Sequence, residues 1–133
     1  MAHRCKYLIA HCIDFRFVRA IKDYLEKSGI LGDCDEVSVA GAIKDSNFML
    51  GQIDISLRLH NVQEAILINH LDCGAYGGSS KFGSLGEERA FHSGELEKAK
   101  ERILAKYPSF RVKTMLAKIT PSGEVSIIEE INA

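Results

Sequence analysis

The sequence predicts an α/β fold, with a mostly parallel sheet, helices on both of its faces and an antiparallel hairpin at its C-terminal edge. Three observations lead to this prediction. Short apolar runs, which are typical of strands buried on both faces, alternate with longer segments whose apolar residues recur at helical spacing. The last two runs are separated by a turn that contains proline and glycine, at positions 120–123. The length of 133 residues fits one domain, and we expect residues 1–133 to form it.

Each predicted strand is a short run rich in β-branched and other apolar residues. The first and third runs are continuously apolar, which indicates strands in the interior of a parallel sheet. The last two runs flank the turn and are therefore expected to pair as a hairpin. The five runs are residues 7–10, 36–40, 65–69, 112–119 and 125–129.

Three helices are predicted between these strands, over residues 17–27, 46–60 and 84–107. The first has apolar residues at helical spacing and is followed by Gly29, which favours a helix end. Ser46 is expected to cap the second helix. Ser84, with Glu87 three residues later, forms the capping-box pattern that predicts the start of the third.

The composition excludes several classes of protein. Hydrophobic residues make up 46% and charged residues 26% of the chain, as in soluble globular proteins. The formal net charge of −1 gives no indication of a nucleic-acid partner. No apolar stretch is long enough to span a bilayer, and the N-terminus lacks the apolar core of a signal peptide. With two of its four cysteines at metal-like spacing, the chain is expected to reside in the reducing cytoplasm, without a membrane partner.

Two separated motifs carry residues that point to metal chemistry. They are Cys12-Ile13-Asp14-Phe15-Arg16 and His70-Leu71-Asp72-Cys73-Gly74. The thiols of Cys12 and Cys73 and the imidazole of His70 are a ligand set that suits zinc, and three protein ligands leave the fourth position open, as in catalytic sites. Cys12 and His70 each follow a predicted buried strand, so the ligands meet at one rim of the sheet if those two strands are neighbours.

Asp14 and Arg16 alternate with Cys12, so at a strand end all three side chains are expected to face the same side. A carboxylate held by an arginine beside a metal is placed to hydrogen-bond a metal-bound water. An ion pair that only orders the loop is the alternative interpretation. Asp72, inside the second motif, is interpreted as the cap of a helix that starts near Gly74.

The remaining cysteines and histidines show no partner in the sequence. Cysteine is among the most buried residue types, so Cys5 and Cys34 are expected in the core. His11 neighbours Cys12 but should point to the opposite face, which favours a structural role. The other three are expected to be solvated or packed, and they are His3, His60 and His92.

The two motifs, in this order and at this separation, resemble those of the β-class carbonic anhydrases. The resemblance covers residues 5–130 and includes the Ala40-Gly41 turn that follows the second predicted strand. It implies that zinc is the cofactor, and that Cys12, His70 and Cys73 are its ligands. The first predicted strand starts near residue 5, so the N-terminal helical arm of that family is not expected.

The resemblance also implies an activity, which is the reversible hydration of carbon dioxide to bicarbonate by a zinc lyase. Asp14 and Arg16 would form its catalytic dyad. Members of the family differ in whether water or the aspartate is the fourth zinc ligand, so the resemblance leaves both arrangements open. It further implies a homodimer or a higher homo-oligomer that acts on a small-molecule substrate.

Several positions depart from the family pattern. The family has small residues where Ile13 and Phe15 stand, and often Arg-Asn where Ser38 and Val39 stand. The glutamine that holds substrate in some members has no counterpart in residues 29–33. We therefore expect Ile13, Phe15 and Val39 to form an apolar approach to the metal.

Three other functions stay open from the sequence. The nearest keeps the metal and changes the substrate to a carbon dioxide analogue such as carbonyl sulfide or carbon disulfide, which an apolar approach would favour. The second is a non-catalytic zinc-binding protein in which Asp14 permanently fills the fourth ligand position. The third is a dithiol redox role for Cys12 and Cys73.

Overall fold

The computed structural model describes residues 3–120 and 122–131, of which residues 125–129 are described by their backbone alone. Within these residues the chain forms one five-stranded sheet with the order β2-β1-β3-β4-β5. Its strands are β1 (Tyr7–His11), β2 (Cys34–Ser38), β3 (Glu64–His70), β4 (Arg111–Ile119) and β5 (Val125–Glu130). The first four strands are parallel, and β5 pairs with β4 in the antiparallel sense. The predicted α/β class with a C-terminal antiparallel edge is confirmed.

Helices cover both faces of this sheet. They are α1 (Val18–Lys27), α2 (Ser46–His60) and α3 (Leu85–Lys106). On one face, Ile21 and Leu25 of α1 pack in a core cluster with alternate strand residues such as Ile9. On the other face, Ile53 of α2 and Leu96 of α3 share a second cluster with the intervening strand residues. Because the strands are apolar on both faces, the sheet is the central layer between the helices.

Two predicted elements have wrong boundaries. The second strand spans Cys34–Ser38, two residues earlier at both ends than predicted, because Cys34 pairs with the first residue of β1 in the parallel register and Ser38 with the last. Asp45 caps α2 instead of Ser46, since its carboxylate accepts the hydrogen bond from the Phe48 amide at 3.0 Å. Both errors arise where an individual hydrogen bond, and not apolar periodicity, decides the boundary.

The start of α3 is as predicted. Ser84 Oγ accepts a hydrogen bond from the Glu87 amide at 3.1 Å, which satisfies one of the free amides of the first turn. The Glu87 carboxylate accepts from the amide of Gly83 at 2.9 Å, one residue before the cap. The capping pattern therefore places the long helix directly after the loop that carries the second motif.

The turn between β4 and β5 closes through a backbone hydrogen bond from the Gly123 amide to the Thr120 carbonyl, at 2.9 Å. Gly123 has a φ of +84°, a conformation that favours glycine. Pro121, which belongs to the predicted turn, lies outside the described residues. None of the helices in residues 3–120 and 122–131 has the length and apolar character needed to cross a membrane.

Candidate metal centre

The sheet brings the two sequence motifs together, because β1 and β3 are parallel neighbours. His11, the last residue of β1, pairs with Ile68 of β3. Cys12 directly follows β1, and His70 is the last residue of β3. One ligand atom from each of Cys12, His70 and Cys73 lies within 4.8 Å of the others. We refer to these three residues as the Cys-His-Cys cluster.

The geometry of the cluster fits a tetrahedral metal ion. The sulfur atoms of Cys12 and Cys73 are 3.9 Å apart. Metal–sulfur bonds of about 2.3 Å in a tetrahedron would separate two sulfurs by about 3.8 Å. The Nδ1 of His70 lies 2.7 Å from the Leu71 carbonyl, which can only accept, so Nδ1 carries the proton. Nε2 therefore presents a lone pair, and it is buried without a hydrogen-bond partner among the described residues.

The cluster is buried, and burial disfavours the charged forms of its groups. Cys12, His70 and Cys73 are all less than one-tenth exposed. Burial, with a further contribution from the adjacent Cys12, raises the pKa of Cys73 to about 11. Burial also lowers the pKa of His70, which keeps its imidazole neutral. A divalent ion between the thiols would reverse the penalty on the thiolate, since metal ligation deprotonates a cysteine.

Gly41 supports the cluster from the turn after β2. Its amide lies 3.4 Å from the Cys12 sulfur and donates to it, which favours the thiolate. Gly41 has a φ of +79°, and a Cβ added there would lie 2.9 Å from Cβ of Lys44. The position therefore requires glycine for both its backbone conformation and its space.

Tyr76 closes the other side of the cluster and was not singled out by the sequence. Its ring packs with the two cysteines, and its hydroxyl donates to the Gly41 carbonyl at 3.4 Å. Burial raises the pKa of the phenol to about 12, so the hydroxyl stays neutral. The glycine-rich sequence around Tyr76 concealed its packing role, because it has no apolar periodicity.

Asp14 and Arg16 form an ion pair beside the cluster. Arg16 Nη2 lies 2.7 Å and Nε 3.2 Å from Asp14 Oδ2, and the Arg16 amide donates to Oδ1 at 2.9 Å. These hydrogen bonds from Arg16 lower the pKa of the Asp14 carboxyl. Asp14 Oδ2 is also 3.8 Å from Nε2 of His70, so the carboxylate borders the space in front of the cluster.

A second carboxylate holds Arg16 from the opposite side. Arg16 Nη1 donates to Asp72 Oδ2 at 3.1 Å, and Nη2 donates to the Asp72 carbonyl at 3.0 Å. Asp72 was interpreted as the cap of a helix near Gly74, and that interpretation is wrong. The 3₁₀ turn at Gly74–Tyr76 has no side-chain cap, and Asp72 Oδ1 instead accepts from the Ser79 amide at 2.9 Å.

Glu88 of α3 is 1% exposed, and it holds Asp72 and Ser79 in place. Its carboxylate accepts from the Asp72 amide at 2.7 Å and from Ser79 Oγ at 2.8 Å. The sequence analysis did not select Glu88. The available signal was its place on the buried stripe of α3, where an acidic residue is unusual. The stripe consists of Glu88, His92, Leu96, Ala99 and Ile103.

The open cleft in front of the dyad has a mixed character. Ile13 is 59% and Phe15 is 84% exposed at its edge. Arg16, Asp72 and glycines of the following loop form its other walls. Val39 lies outside this cleft and borders a separate depression beside Lys44 and Asp45, so its predicted part in the approach is not supported.

The other histidines and cysteines have varied surroundings. His11 hydrogen-bonds Glu36 at 2.5 Å and the Cys12 carbonyl at 2.9 Å, as expected of a structural residue. His92 is packed, with its Nδ1 3.0 Å from the Asn69 amide nitrogen. Cys5 and Cys34 were expected in the core, but both are only half-buried.

The comparison of sequences assigns the chain to a family. No family model matches it. It is similar to the uncharacterized protein RC0076 of Rickettsia conorii, with 31% identity over 136 residues that cover 93% of this chain and 72% of the relative. The chain belongs to the RC0076 family. A protein of Rickettsia bellii is 29% identical over 136 residues, which cover 93% of this chain and 80% of that protein. Neither rickettsial protein has an activity in its name.

The fold of this RC0076-family chain is that of solved carbonic anhydrases. The carbonic anhydrase of Streptococcus mutans has a TM-score of 0.65 at 16% identity, over 98% of this chain and 84% of its own. The carbonic anhydrase of Glaciozyma antarctica has a TM-score of 0.61 at 16% identity, over 95% of this chain and 83% of its own. The β-carbonic anhydrase CafD of Aspergillus fumigatus has a TM-score of 0.60 at 12% identity, over 93% and 90%. At these identities the likeness is one of fold.

Proposed function

We propose that this protein is a zinc-dependent enzyme that interconverts carbon dioxide and bicarbonate. The observation that carries the proposal is the buried Cys-His-Cys cluster, whose ligand atoms lie within 4.8 Å of one another, beside an arginine-held carboxylate. The shared fold of carbonic anhydrases supports the same reading. Cys12, His70 and Cys73 would hold the metal, and Asp14 and Arg16 would be the catalytic residues.

Each group in the proposed site has a distinct task. Zinc, when bound, would supply Lewis-acid activation of water at neutral pH. Asp14 would accept a hydrogen bond from the reacting water and so orient it. Arg16 would keep Asp14 ionised and hold it away from the metal, since its guanidinium binds that carboxylate through two nitrogens. The Gly41 amide would stabilise the thiolate of Cys12.

The charges around the cleft favour a neutral substrate. Asp14 and Asp72 each carry a negative charge, and only Arg16 lies between them. This trio therefore has a net charge of −1 and offers no free cation to bicarbonate. We expect carbon dioxide hydration to be detectable but slow, with weak affinity for bicarbonate, because an anion would be desolvated without a compensating partner.

The edge of the open cleft favours one alternative class of substrate. Ile13 and Phe15 expose apolar surface at the edge of the cleft, which would suit a less polar molecule such as carbonyl sulfide or carbon disulfide. Hydrolysis of such an analogue by the same metal site is the second candidate function. Its test is the ratio of initial rates on carbon dioxide and carbonyl sulfide, measured at equal enzyme and zinc concentrations.

We place this activity in the cytoplasm and in a homo-oligomer. All four cysteines are free thiols, which suits a reducing compartment. Exposed apolar side chains in separate parts of the chain, including Phe15, Leu31 and Leu59, offer surface for contacts between copies. Sedimentation analysis of the purified protein would test the oligomer directly.

The decisive experiment is the metal content of the purified protein, followed by stopped-flow hydration of carbon dioxide with and without a chelator. We expect zinc at the Cys-His-Cys cluster, loss of most of it in Cys73→Ser, and retention in Cys34→Ser as the matched thiol control. A hydroxyl is a poor zinc donor at neutral pH. Full occupancy of the cluster in both Cys12→Ser and Cys73→Ser would refute the ligand assignment. Zinc-loaded protein without turnover of either substrate would instead favour a non-catalytic role.

A further inference from the structure

A second group of metal-ligating side chains lies at the opposite end of the sheet from the Cys-His-Cys cluster. It consists of Cys5, Asp35 and His60, and one ligand atom from each lies within 4.8 Å of the others. We call it the Cys-Asp-His group. Cys5 precedes β1 and Cys12 follows it, so their seven-residue separation along a strand is roughly 23 Å. The two sets of ligands are too far apart to share one ion.

The backbone brings together Cys5, which lies two residues before β1, Asp35 of β2 and His60 at the end of α2. The Cys5 amide donates to the His60 carbonyl at 3.1 Å, which joins the approach to β1 to the last residue of α2. Asp35 lies in β2 opposite Leu8 of β1. Asn61 ends α2 with a φ of +50°, directly after His60. Asp35 and His60 therefore belong to regular elements, and a backbone hydrogen bond joins Cys5 to the end of α2.

Asp35 is the centre of the group. Its two carboxylate oxygens lie 2.9 and 2.8 Å from Nδ1 of His60. Ser56 Oγ donates to Oδ2 at 2.6 Å. The Cys5 thiol donates to the Tyr7 carbonyl at 3.7 Å, and its sulfur lies within 4.8 Å of a ligand atom of Asp35 and of His60. Ser56 is 4% exposed, so it holds Asp35 from the protein interior. Such an outer hydrogen bond is the usual means by which proteins orient a metal-ligating carboxylate.

The chemistry of the group suits a borderline transition-metal ion. A thiolate, an imidazole and a carboxylate are all ligands that zinc accepts. A tetrahedral ion with bonds of about 2.0 Å would separate the imidazole nitrogen and carboxylate oxygen by about 3.3 Å. The distance from His60 Nδ1 to Asp35 Oδ2 is 2.8 Å. A shift of the His60 ring by about half an ångström would lengthen it enough to admit the ion.

The local charge also favours a cation at this place. Burial raises the pKa of the Cys5 thiol, and the negative charges of Asp35 and Asp33 raise it further. His60 closes the C-terminal end of α2, where the helix dipole adds partial negative charge. The side chains of His60 and Asp35 are 32% and 29% exposed, so an ion can reach the group from solvent.

We propose that Cys5, Asp35 and His60 bind a second divalent ion of the zinc class. This ion would tie the start of β1 and β2 to the end of α2, far from the proposed reaction. With one thiolate and partial exposure, the site would release its metal more readily than the Cys-His-Cys cluster, which has two buried thiols.

The test uses Co²⁺ as the probe, because cobalt bound to thiolate gives a charge-transfer band. In a Cys12→Ser/Cys73→Ser protein we expect one Co²⁺ per chain and a single-thiolate band. Adding Cys5→Ser should abolish the band, and adding His60→Ala should weaken binding at least tenfold. Cys34→Ser, which removes a half-buried thiol outside the group, should leave the band unchanged. No band in the double variant, or a band that survives Cys5→Ser, would overturn the proposal.

Native mass spectrometry of zinc-loaded protein provides the second measurement if the double variant fails to fold. We expect two zinc ions on the unsubstituted chain, one on Cys5→Ser and one on Cys73→Ser. If the unsubstituted chain binds one zinc ion, which is lost in Cys73→Ser and kept in Cys5→Ser, the second site is rejected and the proposed function stays intact. One ion with the reverse response would reject the proposed catalytic centre instead.

Discussion

At the residue scale, Asp14 lies between Arg16 and the Cys-His-Cys cluster. Arg16 binds it through two nitrogens, while the Cys-His-Cys cluster lies on its other side, with His70 Nε2 at 3.8 Å. A metal ion in the cluster would attract the same carboxylate. In the proposed site, the hydrogen bonds from Arg16 would therefore compete with the metal for Asp14, and Asp72 holds Arg16 in place from its other side.

Substitutions of the dyad should separate these two roles. We expect Asp14→Ala to keep its zinc but to lose about tenfold to a hundredfold in turnover, the usual cost of removing a group that orients a metal ligand. In Arg16→Ala the carboxylate is free to turn and become the fourth zinc ligand, which would also suppress turnover. Arg16→Lys keeps the positive charge without the two-nitrogen contact. Its turnover should therefore lie between that of the unsubstituted protein and that of Arg16→Ala.

Zinc X-ray absorption spectroscopy of the three loaded variants checks this expectation. In Arg16→Ala the fourth ligand should be an oxygen of the Asp14 carboxylate in place of water, so the number of zinc ligands stays at four while scattering from the carboxylate carbon appears. Arg16→Lys should show this signal in part, and Asp14→Ala should lack it. An Arg16→Ala crystal structure in which Asp14 stays remote from zinc would contradict the competition between the two partners.

Single residues also mark the limit of what the sequence predicts about the site. The spacing of Cys12, His70 and Cys73 was sufficient to group them, because each follows or lies near the end of a recognisable strand. The roles of Asp72 and Glu88 were not predictable in the same way. Their contact joins a loop to a helix 16 positions later, and no local pattern specifies which buried carboxylate meets which amide.

At the scale of elements, α3 supports the proposed site through a single charged side chain. Glu88 lies in the first turns of the helix and accepts hydrogen bonds from Asp72 and Ser79. Asp72 then holds Arg16, which holds Asp14. The orientation of the dyad thus depends on a helix that carries none of its members.

We expect Glu88→Gln to loosen this connection. The Asp72 amide can only donate, whereas Ser79 Oγ can also accept, so a Gln side chain keeps both contacts but as neutral hydrogen bonds, which are weaker than those to a carboxylate. The expected cost is about 1 kcal/mol of unfolding free energy, the difference between hydrogen bonds to a charged and to a neutral group. Turnover should fall while the zinc content stays the same. Glu101→Gln, on the exposed face of the same helix, is the matched control.

Urea unfolding and zinc analysis of both variants check this prediction. Equal stability of Glu88→Gln and Glu101→Gln would show that the buried carboxylate does not support the loop. Loss of zinc from Glu88→Gln would show that it acts on the ligands themselves and not on the dyad.

The elements were predictable because apolar periodicity extends over many residues, whereas their ends depend on single hydrogen bonds. All five strands and three helices lie where the pattern placed them. The start of β2 and the cap of α2 differ, since strand register and the Asp45 side chain decide them. The antiparallel edge follows directly from the short connection between β4 and β5.

At the scale of the whole molecule, the proposed metal connects strands that are distant in sequence, so removing it should affect global stability. An ion that binds only the folded chain, at a free concentration of 1,000 times its Kd, stabilises it by about 4 kcal/mol. We expect a chelator to lower the unfolding free energy of zinc-loaded protein by up to this amount. Cys5→Ser removes the second proposed site, so the effect of the chelator on its chemical unfolding measures the Cys-His-Cys cluster alone. The double variant Cys5→Ser/Cys73→Ser should respond little to the chelator.

The pairing of β1 with β3 also has a consequence for how fast the protein folds. His11 and Ile68 are neighbours in the sheet although they are 57 positions apart in the chain, and β2 lies on the outer side of β1. Closing so long a loop is the kind of search that slows two-state folding. A metal ion that binds Cys12 and His70 bridges the same gap at the ends of the same strands. Zinc present during refolding should therefore shorten the search, giving faster stopped-flow refolding of the unsubstituted chain than of Cys12→Ser.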